Sequence, residues 1–225
     1  MRESAPESAS PLPVTGVIKG IRRQLSAILT HCLTCGPHIT RYSMYRALKD
    51  ILADESRGAG KKALAISFSA NLLPVLGIEN ASVTEANYPE HNIIDLCAFP
   101  DASFDFIVSD QVLEHVEGNP QLAFDTSMRV LKPGGIAVHT TCFINPIHGH
   151  PGDFWRFTPE ALRYLARGFS EIITAEGWGN RAVWIVDALG LRFFPVPHAK
   201  WCPLRIIATR NNPLWPVSTW IVARK

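Results

Sequence analysis

The sequence has no long apolar run and a small, odd number of cysteines. No stretch of its 225 residues approaches the roughly 18 consecutive apolar residues that a membrane-spanning helix needs. Residues 1–13 are rich in Ser, Ala and Pro and contain no apolar core segment, so we expect a loose tail and no secretory signal there. The 5 cysteines are typical of a reducing compartment, and we expect a cytoplasmic protein.

Charged residues are also scarce, at 19% of the chain, and they are unevenly distributed. Acidic residues dominate the centre, over residues 63–160, and basic residues dominate both flanks. An acidic centre argues against a nucleic-acid partner. The basic flanks suit solvated faces, or surfaces that meet phosphates or an anionic membrane. Apolar residues, at 47%, suffice for the core of one large domain.

Two helices are predicted before the main domain. Apolar residues recur at helical spacing over residues 16–35, and a second helix is predicted over residues 41–53. A polar linker with glycines follows, up to residue 62. We therefore predict a helical cap over residues 14–60 and the main domain over residues 61–225. The alternative for the first helix is peripheral contact with a membrane surface.

From residue 62 onward, short apolar runs alternate with helical segments. This pattern predicts an α/β fold with a mostly parallel sheet covered by helices on both faces. A helix is predicted to start at Thr158-Pro159, a capping residue followed by proline. The apolar, Trp-rich stretch of residues 182–220 either completes the core or packs on a partner subunit. The predicted strands are residues 63–66, 81–86, 92–95, 104–109, 136–143, 169–175 and 217–223.

Ligands of open α/β sheets bind outside the carboxyl ends of the strands. The loop after the first predicted strand, residues 67–71, contains no glycine, so taken alone it is weak evidence for a cofactor. After the second strand, Glu85 and Asn87 suit ribose hydroxyls, or else a solvated strand end. After the third, Asp95 suits an adenine amino group.

The fourth and fifth strands lead into the most polar segments. Gln111, Glu114 and His115 are spaced to share one helical face, and a carboxylate beside an imidazole can bind a metal or move a proton. The alternative is a packed histidine and a solvated glutamate. Past the fifth strand, a loop rich in aromatic residues, proline and glycine suits a lid or an acceptor pocket, or else an ordered surface loop. Its polar residues are His148, His150, Asp153 and Arg156.

Three segments together resemble class I methyltransferases of the type 11 group. They read FPDASFDFIVS at residues 99–109, VLEHV at 112–116 and RVLKPGG at 129–135. The resemblance covers most of residues 60–175. In addition, residues 151–159 and 177–181 resemble a bacterial subgroup often found among glycan and secondary-metabolite genes.

The resemblance implies a Rossmann-like methyltransferase fold, a seven-stranded sheet whose last strand is antiparallel, and bound S-adenosylmethionine. Matched by position, one group of residues lines the methionine end of the cofactor: Ser67, Phe68, Ser69 and Asn71. Asn87 or Glu85 would contact the ribose, and Asp95 and Leu96 would contact the adenine. The sulfonium end lies over Ser109 to Gln111.

The cofactor loop departs from the family pattern. Where the family has an acidic residue and three spaced glycines, this chain has Ala65, Ser67, Ser69 and Asn71. The usual ribose carboxylate is Asn87. Each change costs about 1 kcal/mol of cofactor binding when a hydrogen bond is lost or backbone approach is hindered.

The resemblance implies methyl transfer to a small-molecule or glycan acceptor, with O-methylation expected. The general base would be His148, His150 or Asp153, in the loop that also carries Arg156. A metal variant would use Glu114, His115 and His148, as in the similar small-RNA 2′-O-methyltransferases and ubiquinone-pathway O-methyltransferases, with Gln111 replacing their first Glu. We expect no metal. The alternatives are a non-catalytic binding or scaffold protein and the same fold with a different ligand.

Overall fold

The computed structural model describes residues 35–55, 60–149 and 151–225. The helices are α1 (Ile39–Ile51), α2 (Leu72–Val75), α3 (Gln121–Val130), α4 (Pro159–Leu165), α5 (Arg181–Ala188) and α6 (Pro203–Thr209). The strands are β1 (Cys35–His38), β2 (Lys62–Ile66), β3 (Ser82–Ala86), β4 (Phe104–Asp110), β5 (Leu131–Cys142), β6 (Glu171–Trp178), β7 (Pro195–Pro197) and β8 (Ser218–Arg224).

The main sheet has 6 strands in the order β3-β2-β4-β5-β8-β6. Strands β3, β2, β4 and β5 run parallel to one another, and β8 runs antiparallel to both of its neighbours. The central strands are near-continuous apolar runs because helices cover both faces of the sheet. The predicted fold class and the antiparallel last strand are therefore confirmed.

The third predicted strand, over residues 92–95, is wrong. Asn92 and Asp95 form an isolated bridge with each other, and the Asp95 amide donates to the Asn92 carbonyl at 2.9 Å. The Asn92 side chain also accepts from the Ile94 amide at 3.2 Å. These local bonds turn the chain back on itself, so it does not extend along β3. Within the described residues the sheet therefore has 6 strands instead of the seven expected.

Two apolar core layers lie on the two faces of the sheet. One joins the sheet to α3 and α4, through residues such as Phe124 and Leu162. The other joins it to α1, α5 and α6, through Leu48, Val183 and Ala208. The Trp-rich stretch after residue 182 thus completes the second layer in part, as one of its two alternatives predicted.

The second predicted helix is α1, shifted by two residues from its predicted bounds. Its buried Tyr42, Met44 and Leu48 belong to the same core layer as the sheet. Cys35, predicted at the end of the first helix, instead lies in β1, which pairs with β7. The rest of that helix and the predicted tail lie outside the described residues, and the domain boundary at residue 60 stays a prediction. Within the described residues, no helix has the length and apolar character to cross a membrane.

Candidate functional site

A cleft of about 420 Å³ lies at the carboxyl ends of the parallel strands. Three connections border it: the loop after β2, the segment after β4 and the loop after β5. Since parallel strands bring their carboxyl ends to one edge, residues far apart in sequence meet there. The lining residues are Ser67, Phe68, Tyr88, Asn92, Ile93, Gln111, Val112, His115, Val116, Glu117, Pro151, Gly152 and Phe154.

The loop after β2 keeps a glycine-like backbone without glycine. Ser67 and Phe68 have φ angles of 48° and 64°, in the left-handed region that costs a residue with a Cβ atom. The Ser69 hydroxyl donates to the Ile66 carbonyl and accepts from the Asp110 amide, at 2.8 Å for the latter. These bonds tie the loop to the ends of β2 and β4, so the surrounding structure imposes its shape.

Asn87 also holds this loop. Its side-chain oxygen accepts from the Phe68 amide at 2.7 Å, and its side-chain nitrogen donates to the exposed Glu85 at 2.9 Å. The residue matched to the ribose carboxylate therefore supports the loop directly. Asn71 is exposed in the 3-10 turn at the end of the loop.

The remaining predicted cofactor residues lie in different environments. Gln111 lines the cleft with a φ of 59°, and its amide donates to the Thr140 carbonyl at 3.0 Å. Ser109 is fully buried, and its hydroxyl bonds the His139 ring at 2.8 Å. Leu96 packs in the core, and Asp95 is exposed and accepts from the Cys97 amide at 3.3 Å.

Asp110 forms a polar hub that sequence reasoning missed. Its carboxylate accepts from the Thr140 hydroxyl at 2.5 Å and from Tyr45, and lies 3.6 Å from the Arg41 guanidinium. Tyr45 and Arg41 both come from α1. Burial, with the nearby Asp110 carboxylate, raises the pKa of Tyr45. The one available signal was the position of Asp110 at the end of β4, because nothing in the sequence paired it with α1.

Glu114 is fully buried, so the alternative of a solvated glutamate is wrong. Its Oε2 accepts from the Thr141 hydroxyl at 2.9 Å, and its Oε1 has no hydrogen-bond partner among the described residues. Burial raises the pKa of this carboxyl group. The next residue, His115, is half-buried, lines the cleft and bonds the Gly152 carbonyl through Nδ1.

The loop after β5 is clamped onto this segment. The amides of Phe154 and Trp155 donate to the Glu114 carbonyl at 2.8 and 3.2 Å. The Trp155 indole donates to the Val116 carbonyl at 2.8 Å. The loop therefore packs against the cleft as an ordered wall.

Within that loop, a buried carboxylate organises the polar side chains. The Asp153 side chain is 1% exposed and accepts two bonds from the Arg156 guanidinium. It also accepts from the His148 amide at 3.0 Å and lies 3.1 Å from His148 Nδ1. The Arg156 hydrogen bonds hold the pKa of Asp153 below its usual range. His150 lies outside the described residues.

The two loop ends bring three metal-ligating groups together. The rings of His115 and His148 are 4.9 Å apart, and the ligand atoms of Glu114, His115 and His148 all lie within 4.8 Å of one another. Two imidazoles and a carboxylate suit a divalent transition metal. The unpartnered Glu114 Oε1 supports that fit, since a cation would satisfy it.

Comparison with known proteins supports the family resemblance. Residues 48–139 match the family model described as a methyltransferase domain. No curated protein sequence matches the chain significantly.

Solved structures share the fold at low identity. The [4+2]-cyclase SpnF is 17% identical with a TM-score of 0.53, covering 100% of this chain and 99% of that one. An S-adenosylmethionine-dependent methyltransferase from Mesorhizobium loti is 16% identical with a TM-score of 0.53, covering 80% and 96%. A putative sarcosine dimethylglycine methyltransferase from Galdieria sulphuraria is 17% identical with a TM-score of 0.50, covering 82% and 86%.

These findings support the resemblance to the methyltransferase family and confirm its fold. The matched residues 48–139 correspond to a methyltransferase domain, which supports S-adenosylmethionine as the cofactor. The site fits this cofactor in one specific respect. At the end of β2, the left-handed Ser67 and Phe68 supply the backbone conformation that glycines usually provide.

Proposed function

We propose that the enzyme transfers a methyl group to a hydroxyl of a small molecule or glycan. The proposal depends above all on one observation, the buried Asp153 in contact with His148 beside the cleft. A histidine held by a carboxylate is a general base of the kind that deprotonates a hydroxyl nucleophile. When bound, S-adenosylmethionine supplies the electrophilic methyl group.

The residues that would hold the cofactor surround the loop after β2. The backbone of Ser67 and Phe68, supported by Asn87, would meet the methionine end, and Gln111 would lie under the reacting end. Glu85 remains the carboxylate nearest the matched ribose position, 2.9 Å from the Asn87 amide.

His148 is the base that this arrangement favours. Its Nδ1 lies 3.1 Å from the Asp153 carboxylate, 3.3 Å from the Pro146 carbonyl and 2.9 Å from the Asn145 side-chain amide. With a proton on Nδ1 shared with the two oxygen acceptors, Nε2 would remain to take the acceptor's proton. Arg156 acts through Asp153, because its two hydrogen bonds keep that carboxylate ionised. Asp153 and Arg156 are thus positioning residues, and His150 stays a candidate from the sequence.

The first test is calorimetric titration with S-adenosylmethionine, followed by a screen of phenolic and sugar hydroxyls for S-adenosylhomocysteine formation. His148→Ala should lower kcat by about a hundredfold or more while cofactor affinity is unchanged. Absence of cofactor binding at millimolar ligand would instead favour a scaffold or a different ligand. Equal turnover by His148→Ala would remove His148 as the base.

The cluster of Glu114, His115 and His148 favours a second mechanism, in which these residues hold a divalent metal. Such an ion lowers the pKa of a coordinated hydroxyl and would replace the histidine base. The supporting observation is the convergence of the three ligand atoms within 4.8 Å.

Calorimetric titration with Mn²⁺ and Zn²⁺, without cofactor, separates the two mechanisms. The metal mechanism predicts binding that Glu114→Gln abolishes. The matched control is Glu117→Gln, an exposed acid three residues further along, which should bind normally. Activity that is insensitive to chelator would contradict the metal mechanism and leave the base mechanism standing.

A further inference from the structure

Helix α5 turns an apolar face to solvent. Its buried side holds Val183 and Asp187, whereas Trp184, Ile185 and Leu189 are 44%, 60% and 60% exposed. Their spacing puts these three side chains on one side of the helix. Surface helices of soluble proteins normally place polar residues there, so this face indicates contact with something else.

Neighbouring elements extend this face. The buried Val183 of α5, Val196 of β7 and Ala208 of α6 belong to one core layer, so the outward sides of these elements share one outer surface. We call it the outer apolar surface; its residues are Trp184, Ile185, Leu189, Trp201 and Ile206, all at least 40% exposed. None of them lines the cleft.

The charged residues of the segment that carries the outer apolar surface are nearly all basic. Residues 181–214 contain a single acidic residue, Asp187, which is buried and lies 3.4 Å from Arg192. The remaining basic residues are Arg181, Lys200, Arg205 and Arg210. Because no exposed acid in this segment offsets these cations, residues 181–214 combine exposed tryptophan and aliphatic side chains with a net positive charge.

We propose that the outer apolar surface docks the enzyme on an anionic lipid membrane. Tryptophan and aliphatic side chains enter the boundary between headgroups and acyl chains, and nearby cations are attracted to anionic headgroups. The same charge disfavours a second copy as the occupant, since a two-fold contact would bring like cations together. This inference goes beyond the proposed methyl transfer and does not depend on it.

Vesicle flotation of the full chain tests the proposal. Binding is expected to phosphatidylcholine vesicles that contain phosphatidylglycerol, with weakening by salt and little binding to phosphatidylcholine alone. The double variant Ile185→Glu, Leu189→Glu should lower vesicle affinity at least about tenfold. The matched control is Leu122→Glu, an exposed leucine of α3 against the other sheet face, which should bind as wild type.

Three outcomes would overturn the proposal. They are no binding to anionic vesicles, undiminished binding by the double variant, and self-association that the double variant abolishes in the absence of vesicle binding. Circular dichroism and cofactor titration of both variants establish that each is folded. Loss of binding in Lys200→Ala, Arg210→Ala would support the contribution of the cations.

Discussion

The loop after β2 and the loop after β5 border the same cleft, but their backbones are held by different means. The first contains left-handed Ser67 and Phe68; the Phe68 amide bonds Asn87, and the Ser69 hydroxyl bonds the end of β4. The second is organised by buried side chains, above all the Asp153–Arg156 ion pair. The first loop is therefore defined by its backbone conformation, and the second by the contacts between its side chains.

This difference bears on which sequence changes each loop tolerates. A loop can keep its backbone conformation when its glycines are replaced, provided that the surrounding structure holds the strained residues, as it does here. A buried ion pair is disrupted when either residue is replaced, because the charge of the remaining residue is then left without a partner. Three of the departures from the family pattern, Ser67, Ser69 and Asn71, fall in the first loop.

Asp153→Asn should have the largest effect, lowering the free energy of unfolding by about 3 kcal/mol at neutral pH, because it leaves Arg156 without its buried partner. The lowered pKa of Asp153 means that its contribution is present above the unfolded pKa of about 4 and is lost as pH falls through the folded value. Urea unfolding at neutral and acidic pH measures both effects.

The control for that variant is Asp101→Asn. Asp101 also pairs with an arginine, Arg129, but its side chain is 75% exposed. The expected loss is below about 1 kcal/mol, since solvent screens an exposed pair. Equal losses in the two variants would contradict a buried network in the second loop.

Glu114→Gln should stabilise the metal-free protein by about 2 kcal/mol at neutral pH, because an ionised carboxylate is costly at this buried position. The pKa of Glu114 is raised, so the stability of the wild type is full below the unfolded pKa and falls as pH rises through the folded one. The stability that Glu114→Gln gains over the wild type should therefore vanish at acidic pH. Thermal unfolding with chelator tests this, and the exposed Glu117→Gln should change little.

Phe68→Gly should be more stable than Phe68→Ala by about 1 kcal/mol, because only alanine keeps the Cβ clash of the left-handed backbone. The comparison variants are Phe154→Gly and Phe154→Ala, at an exposed aromatic of the second loop without positive φ. At position 154 the glycine variant should be less stable than the alanine variant. The same order of stability at both positions would show that the first loop is unstrained.

Asn87→Ala should have the smallest effect, weakening S-adenosylmethionine binding about threefold through loss of the bond to the Phe68 amide. Asn87→Asp keeps the accepting oxygen and should bind at least as well as Asn87→Ala. Calorimetric titration with S-adenosylmethionine measures the affinity of both variants. Unchanged affinity in Asn87→Ala would mean that the loop keeps its shape without this support.

Local patterns in the sequence predicted most of the sheet and several helix ends. The Thr158 hydroxyl caps α4 by accepting from the Ala161 amide at 3.1 Å, as its position before Pro159 indicates. Residues 92–95 were mistaken for a strand because their short apolar run does not reveal the bonds of the Asn92 side chain. The family motifs indicated the methyltransferase class, which the match over residues 48–139 supports.

The sequence by itself determined most of the strand–helix order and the residues that follow most strand ends, because apolar spacing, prolines and caps act over a few residues. Only the tertiary structure decided how those residues are paired. It placed Arg41 and Tyr45 against Asp110, buried Glu114 beside Thr141, and left one face of α5 apolar and exposed. Such contacts join positions far apart in the chain, so no local pattern encodes them.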